Sequence, residues 1–154
     1  MTAAVVASSL AVATLNALSG LLGGWLWYRG ELTEHQARAF WGLLRVGQGS
    51  ALTLALAVGS LAAAGNYSSE HLFYLYALLP LAVGFLAEQL RITSAQTILD
   101  NRGLSDAEAV RALPEVDQRE LVAEIMRREI GVMASSALVV VFLALRAAGT
   151  AHGF

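Results

Sequence analysis

With 154 residues, a formal net charge of −2 and no cysteine, the chain has room for one domain. It carries neither the basic excess of a nucleic-acid binder nor the sulfur for disulfide exchange or a thiolate metal site. Hydrophobic residues make up 56% and charged residues 14%, and the apolar residues fall in long blocks rather than at amphipathic spacing, which a soluble core does not require.

A helix crossing hydrocarbon does require such blocks, roughly 20 residues each, because its backbone polar groups must be satisfied within the segment. The first runs from about Val5 to Tyr28. It begins without a positive stretch at Met1-Thr2-Ala3-Ala4 and continues through Gly23, Gly24, Trp25 and Trp27, so it is expected to be a retained helix rather than a cleaved signal. Asn16 lies near its middle, and Ser19, Gly20 and Gly24 follow; the Gly20-to-Gly24 spacing suits close helix packing. A polar break from Gly30 to His35 separates it from a second span, about Ala39 to Ala64. On that span Arg38, Gly42, Arg45 and Gly49 recur at helical spacing, with Gln48 beside them.

The turn signal Gly65-Asn66-Tyr67-Ser68-Ser69 precedes a third span, about His71 to Ile92, on which Gly84, Glu88 and Arg91 share a face. No glycine or proline interrupts Thr93 to Asp100, so this helix is expected to run on to Asn101-Arg102-Gly103. Ser105 and Glu108 have capping-box spacing, and Pro114-Glu115 can open a further helix. From Glu115 to Ala148 the pattern is one helix, charged at first and apolar from Ile130, whose last part is the fourth span, about 130 to 148. On it Glu124, Arg128, Gly131 and Ser135 share a face. The expected fold is all-α: a four-transmembrane-helix bundle forming a single membrane domain over 1–154, with a short cytoplasmic helical extension over 93–129.

Orientation is read from arginine, because lysine is absent. Arg29, Arg38, Arg45, Arg91, Arg102, Arg111, Arg119, Arg127 and Arg128 fall on one side, and Arg146 alone on the other. The positive-inside rule then places both termini outside and the Arg-bearing connections in the cytoplasm. Abundant alanine, glycine and arginine without lysine suggest a GC-rich bacterial genome, hence a bacterial plasma membrane.

Charges inside spans are costly and are therefore the candidates for function. Arg45 and Glu88 fall at matching depth and are expected to pair, with Gln48, Arg91 and Arg128 completing a candidate binding cluster. Asn16, Gly20, Gly24, Gly49 and Gly84 are the candidate packing positions. The three histidines are split between the two sides, with His35 inside and His71 and His152 outside, so neither a haem pair nor a metal site is expected, and no cofactor is implied. No phosphate-binding glycine-lysine loop, lipase elbow or zinc-protease helix is present. The favoured expectation is a non-catalytic transport, channel or assembly module acting through helix association, its partners being membrane lipid and either a second copy or another membrane protein. The alternative is a membrane-embedded enzyme acting on a lipid or isoprenoid, with arginines on the headgroup and Glu88 as acid or base.

Overall fold

A computed structural model describes residues 2–30, 32–104 and 107–152. It is all-helical, with α1 over Thr2–Arg29, α2 over Glu34–Ala63, α3 over His71–Asn101, a short α4 over Ala107–Arg111 and α5 over Glu115–Thr150. Among the described residues α1, α2, α3 and α5 are long and apolar enough to cross a membrane. Each is longer than the span read from the sequence. The start of α2, five residues before the expected Ala39, is fixed by a capping box: Gln36 N–H donates to the Thr33 hydroxyl, and Thr33 N–H donates to the Gln36 side chain. Pro114 caps α5 rather than occupying its first turn. The Ser105–Glu108 capping box falls outside the described residues, because Ser105 is not among them.

The four long helices form a ring in which α1 packs on α5, α5 on α3, α3 on α2 and α2 on α1, while α2 and α5 lie diagonally and barely touch. The contacts are unequal: α1–α5 is the most extensive and α2–α3 the sparsest around the ring. The cause lies in where small residues meet large ones. A Cβ on Gly20 would lie 2.7 Å from Leu138 Cδ2, one on Gly131 would lie 2.9 Å from Trp27 Cδ1, and one on Gly23 would collide with Phe40 and with Ala134. Each glycine is thus a socket filled by a side chain of another helix, and the backbones approach because no Cβ stands between them.

Two buried clusters are stacked along the bundle, one in each half. One gathers Val12, Leu54, Val58, Phe73 and Ala144, and the other Leu26, Phe40, Leu44, Ile130 and Met133. Pro80 sits inside α3 and is buried. At one end the α2–α3 connection clasps the end of α5: Ser69 N–H, Ser69 Oγ and Ser68 Oγ all donate to the His152 carbonyl, at 3.1, 3.2 and 2.9 Å. At the other end α3 and α5 run on together as a hairpin. Ile98, Leu104 and Leu121 form its small core, Val110 and Leu113 pack against it, and Arg102 meets Glu124 at 2.6 Å. Gly103 turns the chain out of α3 at φ +69°, a left-handed conformation glycine adopts without strain.

Neighbouring glycines on α1 separate the two roles. Gly23→Ala should lower the thermal midpoint in detergent, an overpacking cost of about 1–3 kcal/mol. Gly24→Ala, whose Cβ meets nothing within 4 Å, should leave the midpoint unchanged or raise it. Equal effects at the two positions would mean that α1 is not seated on this face.

Candidate functional site

The sparse α2–α3 side holds the charged residues expected inside the spans. Arg45 Nη1 donates to Glu88 Oε1 at 2.6 Å and to Gln48 Oε1 at 2.7 Å, and Gln48 Nε2 approaches the same Glu88 oxygen at 3.3 Å. The second Glu88 oxygen faces Arg91 Nε at 3.1 Å, close enough for an ion pair but without hydrogen-bond alignment, since that nitrogen has no hydrogen-bond partner. Arg91 lies over the Trp41 ring, 5.1 Å from its centre, and its Nη1 comes within 3.7 Å of Glu129 on α5. Two guanidiniums and two carboxylates alternate across three helices.

Local sequence explains the placement. Arg45 and Gln48 are one turn apart on α2, Glu88 and Arg91 one turn apart on α3, so each helix offers a cation and a polar partner on one face. Leu44 and Ala87, directly beside them, are buried, which brings the two faces together. The cluster is not dry: the Arg45 side chain is 54% exposed and that of Glu88 24%.

Below the cluster the two helices part, leaving a lateral cleft of about 330 Å³. Gly49, Leu52, Gly84 and Phe85 stand at its sides, Asn16 and Ala137 lie at its back, and Gln48 and Glu88 close one end. Asn16 spans α1 and α2: its amide donates to Val12 O at 2.9 Å and reaches Gly47 O at 3.4 Å. Ser136, from α5, also faces the cleft.

Several residues singled out in the sequence stand elsewhere than expected. Gly24, Gly49 and Gly84 make no close helix contact within the chain, since a Cβ on any of them would meet nothing within 4 Å. Close approach within the bundle is made at Gly20, one of the expected positions, and at Gly23, Gly47 and Gly131. Arg128 does not join the cluster of Arg45, Gln48, Glu88 and Arg91. It lines a separate groove with Gly131 and Ser135, between α1 and α3, with no α2 residue in its wall. Glu129 takes the place expected of α5 in the cluster. The signal for it is in the sequence: Ile130, Met133, Ala137 and Val140 mark the inward stripe of α5, and Glu129 stands next to Ile130 and one turn before Met133, at the edge of that stripe, whereas the small residues Gly131 and Ser135 lie along another face. His35 lies at the cluster's end of the bundle, and His71 and His152 lie at the other.

Comparison with protein-family models, with curated proteins and with solved structures finds no match.

The network makes the two members of the central pair unequal. Arg45→Leu leaves Glu88 with Arg91, whereas Glu88→Leu leaves two guanidiniums without their shared carboxylate. Glu88→Leu should therefore destabilise more, by about 1–3 kcal/mol, below the roughly 3–5 of a fully buried pair because Arg45 is half exposed. Arg45→Leu combined with Glu88→Leu should recover part of that loss. Strictly additive changes in thermal midpoint would show that the pair is not coupled.

Proposed function

We propose that the protein is a multi-pass membrane protein of a bacterial plasma membrane that works without catalysis, as an assembly module whose α2 packs against α2 of a second copy. The observation that carries this reading is an unfilled packing face on α2. Gly42, Val46, Gly49, Thr53, Leu56 and Ser60 follow one another at alternating spacings of four and three residues, and all six are exposed. That spacing is the seam of helices crossing at about +20°. At about 1.5 Å per residue the stripe is about 27 Å long, close to the thickness of a hydrocarbon layer of about 30 Å.

The contrast within the chain supports the reading. Gly20, Gly23, Gly47 and Gly131 each receive a side chain from another helix, while Gly42 and Gly49 receive none. Small residues on a membrane helix serve close backbone approach, and these two have no helix against them. A stripe running the length of α2 is self-complementary about a two-fold axis, as an isologous dimer requires. Thr53 and Ser60 return their hydroxyls to carbonyls one turn back, at 2.9 and 2.8 Å, so the seam needs no further polar partner.

Bulky side chains off the stripe favour a lipid setting: Leu21, Phe85 and Phe142 are 66–71% exposed, a cost in water that disappears in hydrocarbon. Trp25, Trp27, Tyr28 and Trp41 belong to one end, and Tyr67, Tyr74 and Tyr76 to the other, the distribution of interfacial aromatic belts. The arginine asymmetry places the hairpin of α3, α4 and α5 in the cytoplasm and the termini outside. Both Glu88 oxygens are taken up by arginines, which favours a structural staple over an acid or base.

The cysteine-free chain makes a clean background for two measurements. Val46→Cys should form a disulfide-linked dimer on mild oxidation in membranes, Phe142→Cys should not, and adding Gly42→Leu should reduce the Val46→Cys dimer several-fold. Absence of that dimer in membranes would overturn self-association through α2. For orientation, an impermeant thiol reagent on intact cells should label Ala64→Cys and spare Glu120→Cys; the reverse pattern would invert the assignment.

A further inference from the structure

The face of α5 that carries Arg128 has no part in the charged cluster or in the α2 stripe, yet it is the floor of a lateral opening larger than the α2–α3 cleft. A groove of about 640 Å³ runs between α1 and α3 across α5, within the range of about 300–1,000 Å³ typical of sites that hold a small amphiphile. Its walls are apolar, with Leu86 and Leu90 of α3 facing Gly24 of α1. Its floor steps down at Ser135, whose hydroxyl is turned back to Gly131 O at 2.9 Å, while the Trp27 indole covers Gly131. What remains along the groove is hydrocarbon.

The charged end is one-sided. Arg128 is the charged side chain in the wall, and among the described residues it has no carboxylate. Its neighbours on α5 are committed elsewhere: Glu124 to Arg102 at 2.6 Å and Glu129 toward Arg91 at 3.7 Å. Arg127 stacks 5.6 Å from the Trp27 ring centre and donates to Trp27 O at 3.1 Å, so a second cation, with no ion pair to an acid among the described residues, stands next to the groove mouth. Trp27 itself lies in the groove wall, and its indole N–H, a donor, has no acceptor among the described residues. One end of an apolar groove thus carries Arg128, with no carboxylate among the described residues, beside a second cation and an indole N–H. It lies just before the uncharged run of α5 that begins at Ile130, the level at which a headgroup would stand.

We infer that the α1–α3–α5 groove holds one molecule of an anionic phospholipid, its phosphate accepted by Arg128 and the Trp27 indole and one acyl chain lying along Gly24, Leu86 and Leu90. Charge complementarity selects the headgroup. A zwitterionic lipid would bring its own cation to a mouth that already holds two, and a soluble phosphate ester would leave the apolar groove unused. The uncompensated arginine also explains why the face is unlike the Arg45–Glu88 side, where every cation meets a carboxylate: there the protein supplies the anion, and here the bilayer does.

Native mass spectrometry of the purified full chain from detergent micelles, with dioleoylphosphatidylglycerol and dioleoylphosphatidylcholine added in equal amounts, tests this. One phosphatidylglycerol should be retained, with a preference of about fivefold, the contribution of one arginine beside an anionic headgroup. Arg128→Gln should abolish the preference and Arg128→Lys should keep it. Gly24→Leu fills the groove from a position where a Cβ meets nothing within 4 Å and should weaken retention, and Ser135→Leu, filling it from the floor, should do the same if Gly24→Leu proves poorly folded. Equal retention of the two lipids by the wild type, undiminished retention in both filled variants, or displacement of the lipid by millimolar glycerol 3-phosphate would overturn the inference.

Discussion

The seam between α1 and α5 is the contact on which the rest of the bundle hangs. It is built by omission: where Gly20, Gly23 and Gly131 lack a Cβ, Leu138, Phe40 with Ala134, and Trp27 take the space. In hydrocarbon, water release contributes little to bringing helices together, so close van der Waals contact has to do it. Because Phe40 comes from α2, the Gly23 socket also fixes α2 against α1. The third helix is then held mainly from one side, by α5.

The loosely held α2–α3 side is where polar chemistry takes over from packing. Arg45, Gln48, Glu88, Arg91 and Glu129 bridge helices that, at this level, side-chain volume does not lock. A charged staple suits the place. Where Arg45 keeps half of its side chain exposed the cost of desolvating ions is partial, whereas the same cluster fully buried would be expensive. Deeper in the bundle Asn16, a neutral amide with its donors on Val12 and Gly47 carbonyls, serves instead.

Much of this could be read from the residues, and the failures have one physical cause. Length and hydropathy locate the four long helices, the glycine at 103 and proline at 114 delimit the hairpin, and matched depth puts Arg45 beside Glu88, 2.6 Å apart in the structure. What went astray was phase. A helix turns about 100° per residue, so Gly23 rather than Gly24, Gly47 rather than Gly49, and Glu129 rather than Arg128 meet the neighbouring helix within the chain, though each pair differs by only one or two positions. Spacing rules select a face that is small or polar; they do not say which helix lies opposite. The inward face of α5 is marked by its large apolar residues, Ile130 and Met133, and that of α1 mostly by small residues, Ser9, Ala13, Ser19, Gly20 and Gly23, set among Val5, Val12 and Leu26. The Thr33–Gln36 capping box was equally legible, but a polar connection drew attention to its role as a break rather than a start.

Pro80 adds a mechanical property to the cleft it borders. A proline inside a helix has no N–H to give to the carbonyl four residues back, which here belongs to Tyr76, and its ring crowds that carbonyl. The rungs above and below are intact, so α3 has one point of reduced bending stiffness, flanked by two stiff rods. The lower rod carries Glu88 and is pinned by the staple, and the upper begins beside the Ser68–His152 clasp. Thermal bending of α3 is thereby concentrated at the cleft's own depth, so its width is a compliant dimension in a bundle whose α1–α5 seam is comparatively incompressible. Any molecule or helix entering between α2 and α3 would work against a spring with its pivot at Pro80 rather than against a fixed wall.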